Sequence, residues 1–220
     1  MTSKYGDDEI YESFTDNYIF FPIADKLLEP FKSLEMTPNQ ITYLSTIFTL
    51  LSIYYIHIND NIKATGTYLI GYILDCLDGK YARKYNMGSQ YGMVIDTVSD
   101  NISNLLLLLL LIKKNGINRS IMLMLFMMFM LSISYGLNEA ISSYKATGND
   151  NFLERRIKEL SDKEGLIYKL FLQIMSISYR TYRMIFPKYD ENKINNYLKL
   201  LKEFGPGNYT LMVAIILYNS

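Results

Sequence analysis

The sequence contains no tryptophan, one cysteine and one histidine, and each scarcity excludes a kind of chemistry. The single cysteine, Cys76, allows no disulfide within the chain. Because no histidine lies near it, we interpret Cys76 as a small buried apolar residue rather than as a nucleophile. The single histidine, His57, lies late in an apolar run, so the sequence does not support a Ser-His-Asp catalytic device.

An excess of charge of either sign is also absent. Lys and Arg together number 22, and Asp and Glu together number 22, in a chain of 220 residues. This balance argues against a nucleic-acid partner. The length is typical of one domain. The mean hydropathy is close to zero, but polar segments are averaged there with concentrated apolar runs, and those runs indicate a membrane protein.

The distribution of apolar residues divides the chain into three parts. Residues 1–16 are polar and acidic and show no signal-peptide pattern, which predicts a polar N-terminal tail. Residues 17–35 combine charges with apolar residues at helical spacing, which predicts an amphipathic interfacial helix, kinked or divided at Pro30. Residues 36–220 are predicted to form the transmembrane domain.

Apolar stretches within the third part predict an all-α, polytopic membrane helix bundle. The first stretch has no charged residue and is long enough to cross a hydrocarbon core of about 30 Å. The last is short for a full crossing, and the one before it carries several polar and charged side chains. The stretches cover about 36–59, 64–83, 92–112, 120–138, 166–186 and 209–218.

Four aspartates interrupt these runs on two neighbouring segments. Asp75 and Asp78 share one face of a helix, and Asp96 and Asp100, four residues apart, share another. A break signal at 86–89 lies between the pairs, so two antiparallel helices could direct all four carboxylates to one point. Carboxylates at membrane depth are rare and usually functional, and their oxygens suit Mg²⁺ or Mn²⁺. The sequence therefore predicts a metal site that could hold two ions.

The spacing D-x2-D-G-x2-A-R-x8-G-x3-D-x3-D resembles the signature of the class I CDP-alcohol phosphatidyltransferases, a family of integral membrane enzymes. The motif covers only 26 residues, but eight of its positions match in identity and spacing. The upstream stretch 37–42 also resembles the beginning of the first transmembrane helix in this family. The matching positions are Asp75, Asp78, Gly79, Ala82, Arg83, Gly92, Asp96 and Asp100.

The resemblance implies a fold and a reaction. It implies six transmembrane helices preceded by an interfacial helix, and the number agrees with the six apolar stretches. It also implies metal-dependent transfer of a phosphatidyl or substituted phosphoryl group from a CDP-alcohol to an acceptor hydroxyl, with release of CMP. The implied cofactor is Mg²⁺ or Mn²⁺, with two ions. The partners would be the CDP-linked lipid or alcohol, the acceptor and membrane lipids, and a homodimer is compatible with this scheme.

The resemblance further implies a role for each matching residue. Asp75, Asp78 and Asp96 would be metal ligands. Asp100 would be the general base for the acceptor hydroxyl and would also contact a metal. The remaining four positions would bind the CDP moiety, since small residues allow a nucleotide close to the helices and Arg83 can contact phosphates. Packing between helices is the alternative for the glycines, and interfacial anchoring is the alternative for Arg83. These four are Gly79, Ala82, Arg83 and Gly92.

Several alternatives stay open at this level. The linker 86–92 is similar to that of phosphatidylinositol synthases, which favours a phosphatidylinositol-type acceptor. Enzymes that make phosphatidylglycerophosphate or phosphatidylserine, and choline or ethanolamine enzymes, are the alternatives within the family. Arg180 and Arg183 share a helix face and could bind a phosphate on the acceptor or anchor at the interface. Basic residues after Asp78 suggest that the site faces the cytoplasm. The other function classes are a membrane prenyltransferase and a non-enzymatic membrane protein with intramembrane aspartates.

Overall fold

The computed structural model describes residues 12–220, and all regular structure in this range is helical. The predicted all-α class is therefore confirmed. A π-helical turn, Asp16–Phe20, leads directly into the first α-helix, and a short 3₁₀ turn, Lys202–Phe204, precedes the last. The nine α-helices of this range are α1 (Phe21–Ser33), α2 (Pro38–His57), α3 (Asn61–Lys84), α4 (Gln90–Asn115), α5 (Arg119–Thr147), α6 (Phe152–Glu159), α7 (Leu166–Ile185), α8 (Glu191–Leu201) and α9 (Pro206–Tyr218).

Polar residues set the helix starts around the aspartate segments. At the start of α2, Thr37 and Gln40 form a reciprocal capping box, which satisfies two backbone amides that have no partner within the helix. At the start of α4, the Ser89 hydroxyl accepts a hydrogen bond from the Gly92 amide at 2.9 Å. Between α3 and α4 the backbone turns at Asn86, which has a φ of +54°. The predicted break at 86–89 is thus confirmed.

Helices α2 and α3 pack along each other and form the centre of the fold, with α4 also against α2 and with α1 and α9 against α3. Their approach is close at Gly71, whose carbonyl oxygen accepts a hydrogen bond from the Ser45 hydroxyl at 2.9 Å. A Cβ atom on Gly71 would lie 2.8 Å from Thr49 Oγ1 and 3.2 Å from the Ser45 carbonyl oxygen. The absence of a side chain at Gly71 therefore allows this pair to pack tightly.

The predicted interfacial segment forms α1, which packs on α3. The helix runs through Pro30 to Ser33, and the change in helix geometry lies earlier, where the π-helical turn ends at Phe20. Two ion pairs join the helices: Lys80 Nζ lies 2.7 Å from Asp25 Oδ1 and Lys84 Nζ lies 2.6 Å from Glu29 Oε1. The adjacent Lys84 ammonium lowers the pKa of the Glu29 carboxyl. Two of the basic residues that suggested a cytoplasmic face are thus paired within the protein.

Two helices of the described chain, α4 and α5, are long and apolar enough to cross a membrane. Helix α5 continues to Thr147, well beyond the end predicted near residue 138. The other four predicted spans correspond to α2, α3, α7 and α9, and their position in a membrane remains a prediction. Helix α9 has 13 residues, so it measures only about 20 Å at 1.5 Å per residue. The part of the predicted tail before residue 12 lies outside the described residues.

The contact at Gly71 leads to a stability prediction. Gly71→Ala should lower the free energy of unfolding by roughly 1–3 kcal/mol, as expected when a methyl group is forced into a packed interface. Gly66→Ala on the same helix is the matched control, because nothing lies within 4 Å of a Cβ there. Alanine favours the helix, so the control should be neutral or slightly stabilising. Thermal unfolding in detergent measures both, and equal effects would contradict the proposed close approach.

Candidate metal centre

Three aspartates from two helices converge on one point. Carboxylate oxygens of Asp75 and Asp78, on α3, and of Asp96, on α4, all lie within 4.8 Å of one another. Asp78 is buried, with 6% of its surface exposed, and the other two are half-buried. Three negative charges this close repel one another unless a cation neutralises them. An all-oxygen set of this kind fits a hard divalent cation such as Mg²⁺ or Mn²⁺.

The fourth predicted aspartate, Asp100, lies one turn beyond Asp96 on α4. In the described chain it is not part of the three-carboxylate group. It lines an adjoining cavity of about 270 Å³ together with Asp96, Asn104 and Tyr209. The Tyr209 hydroxyl donates a hydrogen bond to Asn104 Oδ1 at 3.1 Å, which joins α9 to α4 next to Asp100. Asp96 of the cluster and Asp100 thus line the same cavity, one helical turn apart on α4.

Helix α2 contacts the aspartate cluster through a hydrogen bond from Thr42. The Thr42 hydroxyl donates a hydrogen bond to Asp78 Oδ2 at 2.5 Å, and both residues are buried. A hydrogen bond to a buried carboxylate stabilises its charged form and fixes its orientation. The helix-start stretch 37–42 drew attention in the sequence only as a resemblance. Its chemical contribution, a hydroxyl directed at a metal-ligand candidate, becomes visible only when α2 is placed against α3.

The two signature glycines have different surroundings. At Gly79, a Cβ atom would lie 3.3 Å from Arg83 Nη1, so the Arg83 guanidinium lies along this face of α3. At Gly92, a Cβ atom would lie 2.8 Å from Asn39 Oδ1, a side chain of α2. Packing of α2 against α4 therefore gives Gly92 a structural role, whether or not a nucleotide also approaches it. Ala82 is half-buried on α3, one turn after Asp78.

A second and larger cavity meets the cluster at Asp96. It has a volume of about 700 Å³, and its wall carries amide, hydroxyl and charged groups from α5 and α8, including Asn138, Ser142, Lys145 and Asn195. Glu139 also lines it. The Glu139 carboxylate is held in place by ion pairs with Arg155 and Arg156, each 3.0 Å away. These groups can donate and accept hydrogen bonds, which suits a ligand with several hydroxyls.

Of the two arginines considered for phosphate binding, Arg183 is engaged in contacts within the protein. Arg183 Nη2 donates to Asp150 Oδ1 at 2.8 Å, and the Tyr182 hydroxyl donates to Asp150 Oδ2 at 2.6 Å. These contacts attach the segment after α5 to α7. Arg180 is exposed. Arg183 is thus used in a structural contact, and phosphate binding by either arginine stays a hypothesis.

Residues before α1 also form part of the surroundings of the aspartate cluster, which the sequence did not suggest. Glu12 lines the cavity that contains Asp100. Asp16 is 1% exposed and accepts a hydrogen bond from the Tyr72 hydroxyl on α3 at 2.6 Å. Both lie in the segment predicted to be a polar tail. The one sequence signal for this role was the position of Asp16, which only Asn17 separates from the apolar run 18–21.

Comparison with known proteins identifies relatives of this chain. The family model described as CDP-alcohol phosphatidyltransferase matches residues 35–184. An archaetidylinositol phosphate synthase of Pyrococcus horikoshii is 36% identical over 72 residues, which cover 33% of this chain and 38% of the relative. A human CDP-diacylglycerol–inositol 3-phosphatidyltransferase is 34% identical over 71 residues, covering 32% of this chain and 33% of the relative.

A protein of Saccharomyces cerevisiae with the same printed name as the human relative is 41% identical over 66 residues, covering 30% of each chain. The chain therefore matches only about a third of the length of each of these curated relatives. No solved structure matches the chain.

The contact between Thr42 and Asp78 can be tested without a substrate. Thr42→Val keeps the shape of the side chain but removes the hydrogen-bond donor. The free energy of unfolding of the metal-free protein should therefore fall by roughly 1.5–3 kcal/mol, which is typical of a hydrogen bond to a charged group. Thr46→Val is the control, since the Thr46 hydroxyl bonds only a backbone oxygen of its own helix, that of Thr42. Thermal unfolding in EDTA and in Mg²⁺ gives the comparison. Equal melting temperatures for the two variants would contradict a specific role of Thr42.

Proposed function

The chain belongs to the CDP-alcohol phosphatidyltransferase family, and from that premise we propose that it transfers a phosphatidyl or substituted phosphoryl group from a CDP-alcohol to an acceptor hydroxyl. CMP is the second product. The observation that best supports this proposal is the convergence of Asp75, Asp78 and Asp96, which lie within the family signature. The protein is thus proposed to be a transferase of phospholipid synthesis.

The aspartate cluster would hold Mg²⁺ or Mn²⁺, with two ions as the expected number. Divalent cations bound there would neutralise the diphosphate of the CDP-alcohol and stabilise charge on the attacking and leaving oxygens. Asp78, oriented by Thr42, and its partners Asp75 and Asp96 are the proposed ligands. The fit of the three oxygen donors to a hard cation supports this assignment.

Side chains around the cluster would orient the CDP moiety. The Arg83 guanidinium lies along α3 at Gly79, within one turn of Asp78, where it can donate to phosphate oxygens. A planar guanidinium forms two parallel hydrogen bonds to such an anion. Gly79 and Ala82 present little bulk beside it. Gly92 is retained as a proposed CDP contact, in addition to its packing against Asn39.

Asp100 is the proposed general base. It faces the smaller cavity beside the cluster, so an acceptor hydroxyl there could lie within hydrogen-bond reach of its carboxylate. The acceptor oxygen bonds to the phosphorus that carries the lipid or alcohol, the bond from that phosphorus to the CMP oxygen breaks, and the hydroxyl proton passes to Asp100. The proposed further contact of Asp100 with a metal would place the base and the reacting phosphorus close together.

The two cavities adjoin, since Asp96, Thr97, Tyr135 and Asn138 line both. We propose that the larger one holds the body of the acceptor, an inositol-type polyol, and that the reacting hydroxyl extends into the smaller one, to Asp100. Two observations support this choice. The wall of the larger cavity combines amides, a hydroxyl and charged groups next to Asp96, as a compound with many hydroxyls requires. The printed names of the relatives in Pyrococcus horikoshii, human and Saccharomyces cerevisiae all refer to inositol chemistry.

The proposed setting is a membrane, crossed by six helices that begin with α2. Helices α4 and α5 satisfy the length and composition of a span. We propose that α1 lies at the interface and that the aspartates face the cytoplasmic side. A homodimer remains compatible with this arrangement.

Metal dependence and acceptor choice can be measured together. Purified protein should release CMP from CDP-diacylglycerol only with Mg²⁺ or Mn²⁺, and EDTA should abolish the release, because a divalent cation is needed to join the negatively charged diphosphate to the negatively charged aspartates. Among inositol, inositol phosphate, glycerol 3-phosphate and serine, inositol should give the fastest release. A parallel assay combines diacylglycerol with CDP-choline or CDP-ethanolamine. Faster release with inositol phosphate would identify the phosphorylated form as the inositol-type acceptor. Faster release with glycerol 3-phosphate or serine, or in the parallel assay, would reject an inositol-type acceptor, and metal-independent release would reject the proposed site.

The role of Asp100 leads to a separate prediction. Asp100→Asn should lower turnover by about 10²–10⁴-fold, the contribution typical of a general base. Binding of a CDP-alcohol should largely persist, since the three-carboxylate cluster does not require Asp100. Asp162→Asn, at an exposed position, is the control. Single-turnover CMP release and nucleotide binding by titration separate the two effects, and normal turnover in Asp100→Asn would reject the assignment.

A further inference from the structure

Asp16 is a buried carboxylate that joins three parts of the chain. It accepts hydrogen bonds from the Tyr72 hydroxyl at 2.6 Å, from the Ser13 hydroxyl at 2.7 Å and from the Gly207 amide at 2.9 Å. Only 1% of its surface is exposed. A buried carboxylate is tolerated when several donors surround it. The residue therefore ties the N-terminal segment to α3 and to the start of α9.

At α9, Asp16 acts as a cap supplied from far along the sequence. The residue before this helix is Gly205, which has no side chain to cap it. The Asp16 carboxylate instead accepts from the Gly207 amide, and a negative charge at a helix start is also favourable to the helix dipole. The Thr15 hydroxyl adds a hydrogen bond to Asn208 Oδ1 at 2.7 Å. A side chain at Gly207 would collide with Thr15 and Asp16.

At α3, the contact between Asp16 and Tyr72 lies one helical turn before the three-carboxylate cluster. Tyr72 precedes Asp75 by three residues and so shares its side of the helix. The ring of Tyr72 packs edge-on against Phe20, with centroids 4.8 Å apart. Both its hydroxyl and its ring are thus held by residues that precede α1.

The same segment contributes Glu12 to the wall of the cavity that contains Asp100, next to the start of α9. Glu12, Gly205, Pro206 and Tyr209 line this cavity opposite residues of α4. Ser13 is fully buried, and a Cβ atom on Gly205 would lie 3.0 Å from the Ser13 Cβ. The segment 12–16 is therefore packed directly against the start of α9 where that helix enters the cavity wall.

We propose that Asp16 is a positioning residue that docks the segment 12–16 onto α9 and thereby keeps water away from the reacting phosphorus. This inference rests on the proposed transferase function. A group transfer to an acceptor hydroxyl competes with transfer to water, because both nucleophiles could be activated by Asp100. A closed wall beside Asp100 favours the acceptor over water.

The competing reaction is balanced and gives a distinct product. A water oxygen bonds to the phosphorus that carries the lipid, the bond to CMP breaks, and one water proton passes to Asp100. The products are phosphatidic acid and CMP, in place of the phospholipid and CMP. The ratio of phosphatidic acid to phospholipid thus reports the integrity of the wall, whereas loss of folded protein lowers both products together.

The test compares Asp16→Ala with wild type in detergent or vesicles that contain CDP-diacylglycerol, Mg²⁺ and inositol. We expect a several-fold rise in the ratio of phosphatidic acid to phospholipid. A second measurement does not depend on activity. In Asp16→Ala the amide hydrogens of residues 207–210 should exchange with solvent at least about fivefold faster than in wild type, because the loss of a helix cap destabilises the first turn of α9. Thr15→Val removes the hydroxyl contacts with Asn208 and Ser13 but keeps the Asp16 carboxylate. It should change both quantities in the same direction by less, and it also serves if Asp16→Ala does not fold.

The control is Asp60→Ala, because Asp60 caps α3 in the same way but at the end of that helix away from the cluster. It should accelerate amide exchange at the start of α3 and leave the product ratio unchanged. An unchanged product ratio in both Asp16→Ala and Thr15→Val, or unchanged exchange at 207–210, overturns the inference. Failure of wild type to release CMP instead rejects the proposed function, and the exchange data then still test the docking of the segment.

Discussion

Mutual repulsion of three carboxylates is the constraint on which the rest of this structure depends. Asp75, Asp78 and Asp96 bring their oxygens within 4.8 Å of one another in a chain whose helices are otherwise largely apolar. Such a group is unfavourable in isolation and becomes favourable when a divalent cation binds it. The same arrangement that opposes folding of the metal-free protein therefore favours binding of a divalent cation, which in the proposed reaction would in turn hold a diphosphate.

The surrounding helices hold these charges in position from several sides. Helix α2 packs on α3 through Gly71, supplies the Thr42 donor to Asp78 and contacts α4 at Gly92 through Asn39. Helix α1 is attached to the end of α3 by two ion pairs. Placement of the reactive groups on packed helices rather than on loops favours a rigid site, in which small shifts of a ligand are prevented.

Two cavities that meet at Asp96 connect this centre to its surroundings. The larger one carries groups suited to a polyol, and the smaller one brings Asp100 next to α9. Because the start of α9 is capped by Asp16, the N-terminal segment and the C-terminal helix form one structural unit beside the site. In the proposed reaction, this unit would separate acceptor from water, which is a requirement of group transfer in general.

The sequence by itself determined the all-α class, the break at 86–89 and the convergence of three of the four aspartates from two helices, because these follow from local periodicity and from turn residues. Family membership was also recognisable there, since the signature lies within one short stretch. That Asp100 lies outside the three-carboxylate group was decided by the tertiary structure. Only the tertiary structure decided the partners of those residues: Thr42 for Asp78, Asn39 for Gly92, and Asp16 for both Tyr72 and the start of α9. Such contacts join residues far apart in the chain, and no local pattern encodes which distant side chain will fill the space beside a glycine or complete a helix cap.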